Sequence, residues 1–233
     1  MNSEMTEVAN LRFLVGQKES KSMINRLTLN GTKHPNFIGC WMLENTSLCD
    51  GLIEFFERNK GSQRPGVVSD GKRNTSVKNS TDLTIVPSDL EDEKFHVVST
   101  YIEHLNVCYL DYLAQWGFLK SFLQKVYIGP FNIQKYDEGG HFGALHSERT
   151  SLVHLHRMLV WMTYLNDVPD SGETEFPMFG LKVKPEKGKT LIWPAEWTHA
   201  HLGSVVKKGN KYIITGWMHF PDDVLAEYKG MVE

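Results

Sequence analysis

The sequence predicts a mainly β fold with supporting helices: a sandwich or jelly roll, one sheet of which is covered by helices from the first half of the chain. Three observations carry this. The 233 residues are 41% hydrophobic and 23% charged, the balance of a soluble chain with one sizeable core. From Leu90 to Trp116 the apolar residues Phe95, Val98, Ile102, Leu105, Tyr109, Tyr112 and Trp116 recur at steps of three and four, as on an amphipathic helix. After Gly129-Pro130 the texture changes to short apolar runs divided by turns, and it stays so to Trp217.

Taken in order, residues 1–36 read as a loosely attached leader ending in the turn-like His34-Pro35-Asn36. Residues 37–129 form a strand and helix part that supports the core. Phe37 to Met42 is a short apolar run, read as a strand. Asn45 or Thr46 then caps a helix bearing Leu48, Cys49, Leu52, Ile53, Phe55 and Phe56. Residues 60–80 are almost wholly polar and read as a long loop, either a cover for a binding site or a surface insertion. Asp82 to Val86 is another strand before Pro87. In the core, residues 130–220, the clearest strands are Phe131 to Tyr136, Met158 to Leu165, Thr190 to Trp193 and Lys211 to Met218. Gly139-Gly140, Asp170-Ser171-Gly172, Glu186-Lys187-Gly188 and Lys208-Gly209-Asn210 punctuate them. Residues 221–233 are a tail.

The net charge of −3 gives no general pull toward nucleic acid or anionic membrane, so neither is an expected partner. Cys40, Cys49 and Cys108 are widely spaced and odd in number, which argues against a disulfide framework and for a reducing compartment. The first thirty residues lack the continuous apolar stretch of a signal peptide, and no later run has the length of a membrane span. The expected location is cytoplasmic.

The chemistry gathers between Tyr136 and Trp217. Residues two apart on a strand face one side, so His146 and Glu148 present a nitrogen and a carboxylate oxygen to one point. A second strand must deliver a third ligand. His201 does so if Gly203 and Lys211 set the register, although His199 keeps the same face and His154 with His156 repeats the spacing. Two imidazoles and one carboxylate leave an open triangular face on a six-coordinate ion, which suits non-haem Fe(II). Lys211 opens the strand ending at Trp217 and by alternation shares a face with Ile213, Thr215 and Trp217. An ammonium on an inward face needs an anion, such as the carboxylate of a dicarboxylic ligand, or else reaches back to water. His96 and His104 read as ordinary helix residues.

One ordered series of motifs resembles a known family. It runs Tyr136-Asp137-Glu138-Gly139-Gly140, His146-Ser147-Glu148, Arg157, Tyr164-Leu165-Asn166-Asp167 and Gly172-Glu173-Thr174-Glu175-Phe176-Pro177. Lys187-Gly188, Leu191-Ile192-Trp193-Pro194, His201-Leu202-Gly203 and Lys211 complete it. Over about residues 130 to 220 the chain resembles the Fe(II)/2-oxoglutarate-dependent dioxygenase superfamily, in its prolyl 4-hydroxylase-like branch. The resemblance implies a double-stranded β-helix, a cupin-like jelly roll with α-helices packed on the larger sheet. It implies His146, Glu148 and His201 as iron ligands, and Lys211 as partner of the distal 2-oxoglutarate carboxylate with Tyr164 and Thr215 as its hydrogen-bonding neighbours. Tyr136, Arg157 and Trp217 would line the wall or mouth. Fe(II), 2-oxoglutarate and O₂ are the implied cofactors, with ascorbate to rescue oxidised iron.

This chain departs from the family pattern at three places. Glu148 stands where prolyl hydroxylases usually have Asp, the interval from Tyr136 to His146 is one residue longer, and Val205 replaces a frequent Pro. These bear on substrate class more than on cofactor chemistry. Retention of a carboxylate favours hydroxylation over halogenation, whose halide needs that coordination place. The expected activity is hydroxylation of an unactivated C–H bond on a peptidyl or protein side chain such as proline, with release of succinate and CO₂. The alternatives are the same chemistry on a free amino acid, small metabolite or nucleobase, and a non-catalytic metal-binding jelly-roll module.

Overall fold

A computed structural model describes residues 11–14, 24–29, 35–67, 73–123 and 125–220. The expected tail, residues 221–233, lies outside them. The first strands are β1 (Leu11–Leu14), β2 (Ile24–Arg26), β3 (Gly39–Leu43), β4 (Arg64–Pro65), β5 (Lys78–Asn79) and β6 (Thr81–Ile85). Next come β7 (Lys125–Ile128), β8 (Phe131–Tyr136), β9 (His141–His146), β10 (Arg157–Tyr164), β11 (Asp170–Ser171) and β12 (Thr174–Phe176). Then follow β13 (Leu181–Val183), β14 (Lys189–Pro194), β15 (His201–Gly203), β16 (Val206–Lys208) and β17 (Lys211–His219). Helices α1 (Ser47–Arg58) and α2 (His96–Gln115) precede most of them.

The strands form a jelly roll of two facing sheets, with β11 and β16 paired apart from them. The larger has the order β2-β3-β14-β10-β17-β8-β6-β4, with β7 joining β17 and β1 joining β7. The smaller has the order β13-β12-β15-β9-β5. Strict alternation builds two cores. On β10, Leu159 and Trp161 pack under the helices while Val160, Met162 and Tyr164 face the smaller sheet. On β8, Phe131 and Ile133 go to the helix side, and on β17 Tyr212, Ile214 and Met218 do so. The helices answer with Leu48, Cys49, Leu52 and Phe56 of α1 and Val98, Tyr101, Leu105, Cys108 and Tyr112 of α2. Each large side chain buried in this way contributes roughly 1.5–3 kcal/mol.

Local chemistry sets the element boundaries. Asn45 Oδ1 accepts from the Ser47 backbone N–H at 3.1 Å, so Asn45 stands at the start of α1, while Thr46 makes no side-chain cap. Helix α2 begins later than the expected Leu90. Asp89 accepts from the Val86 N–H and Asp92 from the Lys94 N–H, so residues 87–95 close into 3₁₀ turns instead.

Two other stretches differ from expectation. The polar loop at 60–80 is not structureless: β4 pairs β6 and β5 pairs β9, so the segment reaches both sheets. Within the leader, β1 pairs β7 and β2 pairs β3. Among the described residues no helix is long and apolar enough to cross a membrane, and Cys40, Cys49 and Cys108 are free and buried.

Candidate active site

Between the two sheets lies a cavity of about 780 Å³. Strand β9 ends on His146, Glu148 follows two residues on, and β15 begins on His201 directly opposite His146. Glu148 Oε1 is 3.6 Å from Nε2 of both His146 and His201, and one ligand atom from each residue lies within 4.8 Å of the others. His199 does not join them. Its Nε2 donates to the Asn36 carbonyl at 2.8 Å, which turns the ring out of the cavity. His154 lines the outer cavity but lies outside this group, as do His96 and His104 on α2.

The ligand atoms are oriented by their neighbours. His146 Nδ1 is 2.8 Å from the Ala144 carbonyl and His201 Nδ1 is 3.0 Å from the His199 carbonyl. A carbonyl only accepts, so each Nδ1 carries the proton and each Nε2 turns a lone pair to the common point. Burial, and then the nearby His146, push His201 down to about 3, so its imidazole stays neutral as a ligand must. Trp217 Nε1 donates to Glu148 Oε2 at 2.9 Å, and Arg157 approaches the same oxygen at 3.4 Å while its guanidinium lies 3.7 Å from the Trp217 ring centroid. This leaves Oε1 for the centre. The donor set of two neutral imidazoles and one fixed carboxylate fits a divalent iron with open positions, with His146, Glu148 and His201 as its candidate holders.

Across the cavity Lys211 is 3% exposed and opens β17 opposite Tyr136 of β8. Its Nζ donates to the Gly172 carbonyl at 3.0 Å and lies 4.6 Å from the Tyr136 ring centroid. Among the described residues no carboxylate comes within ion-pair distance. Burial therefore pushes Lys211 down to about 8, and Glu173 offsets it only in part. A dry ammonium over an aromatic face is a site for an anion brought by a ligand.

The remaining expected residues divide. Thr215, Tyr136, Arg157 and Trp217 all line the cavity. The Thr215 hydroxyl donates to the Trp161 carbonyl at 2.9 Å, and the Tyr136 hydroxyl donates to Gln134 Oε1 at 2.8 Å. Tyr164 does not reach the cavity surface. It is fully buried behind Thr174, donating to Thr174 Oγ1 at 2.6 Å, with the Val183 carbonyl at 3.1 Å. Thr174, which sequence reasoning passed over, forms the wall there, and among the described residues its hydroxyl finds only Met162 Sδ, at 3.9 Å, as acceptor. The reading also missed Phe142, stacked on His146 at 3.8 Å between centroids, and Trp193, edge-on to His201 at 5.0 Å. Phe142 was detectable as the aromatic four residues before His146, on the same face of one strand.

Two imidazoles and a carboxylate converging inside a jelly roll make a donor set of the kind that suits non-haem Fe(II) with open positions. Residues 131–219 match the 2OG-Fe(II) oxygenase superfamily. Among curated relatives, prolyl 4-hydroxylase subunit alpha-1 of Gallus gallus is 31% identical over 70 residues, covering 27% of this chain and 14% of that protein. Prolyl 4-hydroxylase 13 of Arabidopsis thaliana is 28% identical over 120 residues, covering 40% of this chain and 44% of that one. The chain thus spans less than half the length of these relatives. Among solved structures, a Trichoplax adhaerens prolyl hydroxylase in complex with a hypoxia inducible factor oxygen degradation domain peptide fragment superposes with a TM-score of 0.60. At 14% identity, covering 79% of this chain and 84% of that one, it shares the fold.

Proposed function

We propose that this chain is an Fe(II)- and 2-oxoglutarate-dependent dioxygenase that hydroxylates an unactivated C–H bond of a peptidyl side chain, proline first, with release of succinate and CO₂. The observation that carries this reading is the pairing of two features across one cavity. Two Nε2 lone pairs and Glu148 Oε1 converge on one point, and a buried Lys211 lacks a carboxylate among the described residues. A closed structural metal site would need a fourth protein ligand and no such lysine.

In this reading His146, Glu148 and His201 hold the iron, which with 2-oxoglutarate and O₂ supplies the oxidising power. Lys211 binds the distal carboxylate of the cosubstrate. Thr215 and Thr174 flank that end, and Tyr164 acts through Thr174 by donating to its oxygen and so freeing its hydrogen to donate. Trp193, Phe176 and Phe142 keep water from the imidazoles. Arg157 and Trp217 fix the carboxylate ligand and, with Tyr136, form the wall that the target side chain meets. The peptide substrate is supported by the relatives' names and by the peptide held by the Trichoplax adhaerens neighbour. Three free, buried thiols support a cytoplasmic location. Ascorbate would return oxidised iron to Fe(II).

The test is anaerobic addition of Fe(II) and 2-oxoglutarate to metal-free protein, followed by the visible charge-transfer band of an iron-chelated 2-oxo acid. The band is expected in the native protein and not in His146→Ala, and on admitting O₂ a proline-containing peptide should stimulate succinate release. Tight Zn²⁺ binding with no band would overturn the reading in favour of a structural metal module.

A further inference from the structure

In the wall of the cavity lies a buried ion pair that has no part in holding the iron or the lysine-bound carboxylate. Lys78 Nζ meets Asp82 Oδ2 at 2.6 Å, with the two side chains 6% and 12% exposed. Lys78 stands on β5, paired to the smaller sheet through β9, and Asp82 stands on β6, paired to the larger sheet through β8. The pair therefore fastens one sheet to the other where the chain crosses between them. Ser80, at the corner, donates to Asp82 Oδ1 at 2.7 Å.

Each end of this fastening leads to one half of the site. Lys78 Nζ lies 5.6 Å from the Phe142 ring centroid, and Phe142 is stacked on His146. On the other side Gln134 Nε2 donates to Asp82 Oδ2 at 3.1 Å, and Gln134 Oε1 accepts from the Tyr136 hydroxyl, whose ring carries the Lys211 ammonium. An unbroken series of contacts runs from a candidate metal ligand, through the ion pair, to the candidate anion-binding lysine. Ion pairs in such surroundings add little net stability compared with apolar side chains of the same size, whereas they fix relative position through short, directed bonds.

We infer that the Lys78–Asp82 pair is a positioning clasp that sets the separation between the metal-binding triad and Lys211, and so selects the chain length of the 2-oxo dicarboxylate. The inference rests on the function proposed above. A 2-oxo dicarboxylate chelates at one end and pairs with Lys211 at the other, so its carbon count must match the gap. With the clasp intact the five-carbon acid fits and the six-carbon homologue is strained. With it broken the sheets relax, the five-carbon acid loses affinity, and the longer one is admitted.

The test is anaerobic titration of 2-oxoglutarate and 2-oxoadipate, read by the charge-transfer band, in native protein, Asp82→Asn, Lys78→Met and Lys78→Arg. The ratio of the two Kd values should fall about ten-fold in Asp82→Asn and Lys78→Met, the effect of losing one hydrogen bond to a charged group. It should return in Lys78→Arg, which restores the ion pair. Should Asp82→Asn or Lys78→Met fail to fold, Gln134→Met breaks the same series without stranding a charge and should shift the ratio alike. If native protein binds 2-oxoglutarate and the folded variants weaken both acids equally, or neither, the clasp is refuted while the proposed function stands. If native protein binds neither acid, both fall.

Discussion

Lys211 is the residue whose chemistry is most exposed to test. In the free protein it is held down to about 8 by burial, while a bound dicarboxylate would favour its charged form and raise it again. Below pH 8 the ammonium is already present and 2-oxoglutarate affinity is flat. Above pH 8 each binding event must take up a proton, so affinity falls up to ten-fold per pH unit until the liganded value is reached. Calorimetry at pH 9 in buffers of different ionisation heat should register that proton, and Lys211→Met should abolish it along with most of the affinity. Equal heats in all buffers would mean that the lysine already has an anion. Glu148 shows the same economy at the other end, because Trp217 and Arg157 occupy Oε2 and leave Oε1 facing the two imidazoles.

At the scale of elements, β17 has to pack tightly on both faces. Its Gly216 lies where a Cβ would come within 2.6 Å of the Trp161 ring and 2.7 Å of Phe131 Cβ. Gly216→Ala should therefore cost about 1–3 kcal/mol by overpacking, seen as a lower midpoint in urea with an unchanged slope. A neutral result would mean that Trp161 shifts freely, against its full burial. The strands themselves were legible because alternation is strong. Phe131 to Tyr136 falls on β8 as expected, and the expected Met158 to Leu165 differs from β10 by one residue at each end. The approach of His146, Glu148 and His201 was expected from their two-residue spacing and the register of Gly203 and Lys211, although Glu148 lies beyond the end of β9. The pairing of β4 and β5 was not, since two-residue strands of Arg, Pro, Lys and Asn carry no periodic signal. Nor was the retreat of Tyr164 behind Thr174. Alternation gives the face on which a side chain lies and not the depth at which it stops.

For the molecule as a whole, the leader is fastened to the helical layer by charge. Asp111 of α2 accepts from Arg26 Nε at 2.9 Å and from Trp41 Nε1 at 2.7 Å, and pairs with Arg26 Nη2, joining β2, β3 and α2. Burial pushes its carboxyl up, but the bonds from Arg26 and Trp41 outweigh this and hold it below the ordinary value. A carboxyl lowered on folding contributes stability above its unfolded value of about 3.9 and loses it as pH falls through the folded value. Asp111→Asn should therefore flatten the fall in melting temperature below about pH 4 and lower the plateau near neutrality. Parallel curves for the two proteins would show that the pair carries no such weight. The sheet order has a further consequence, for synthesis on the ribosome. Among the strands of the larger sheet, β17 comes last in the chain yet lies in the middle, between β10 and β8. Until it emerges, β10, β8 and β7 expose edges that β17 would cover. A nascent chain, or one cut short before Lys211, would present paired sticky margins instead of half an enzyme, and its partner of first resort would be another such chain.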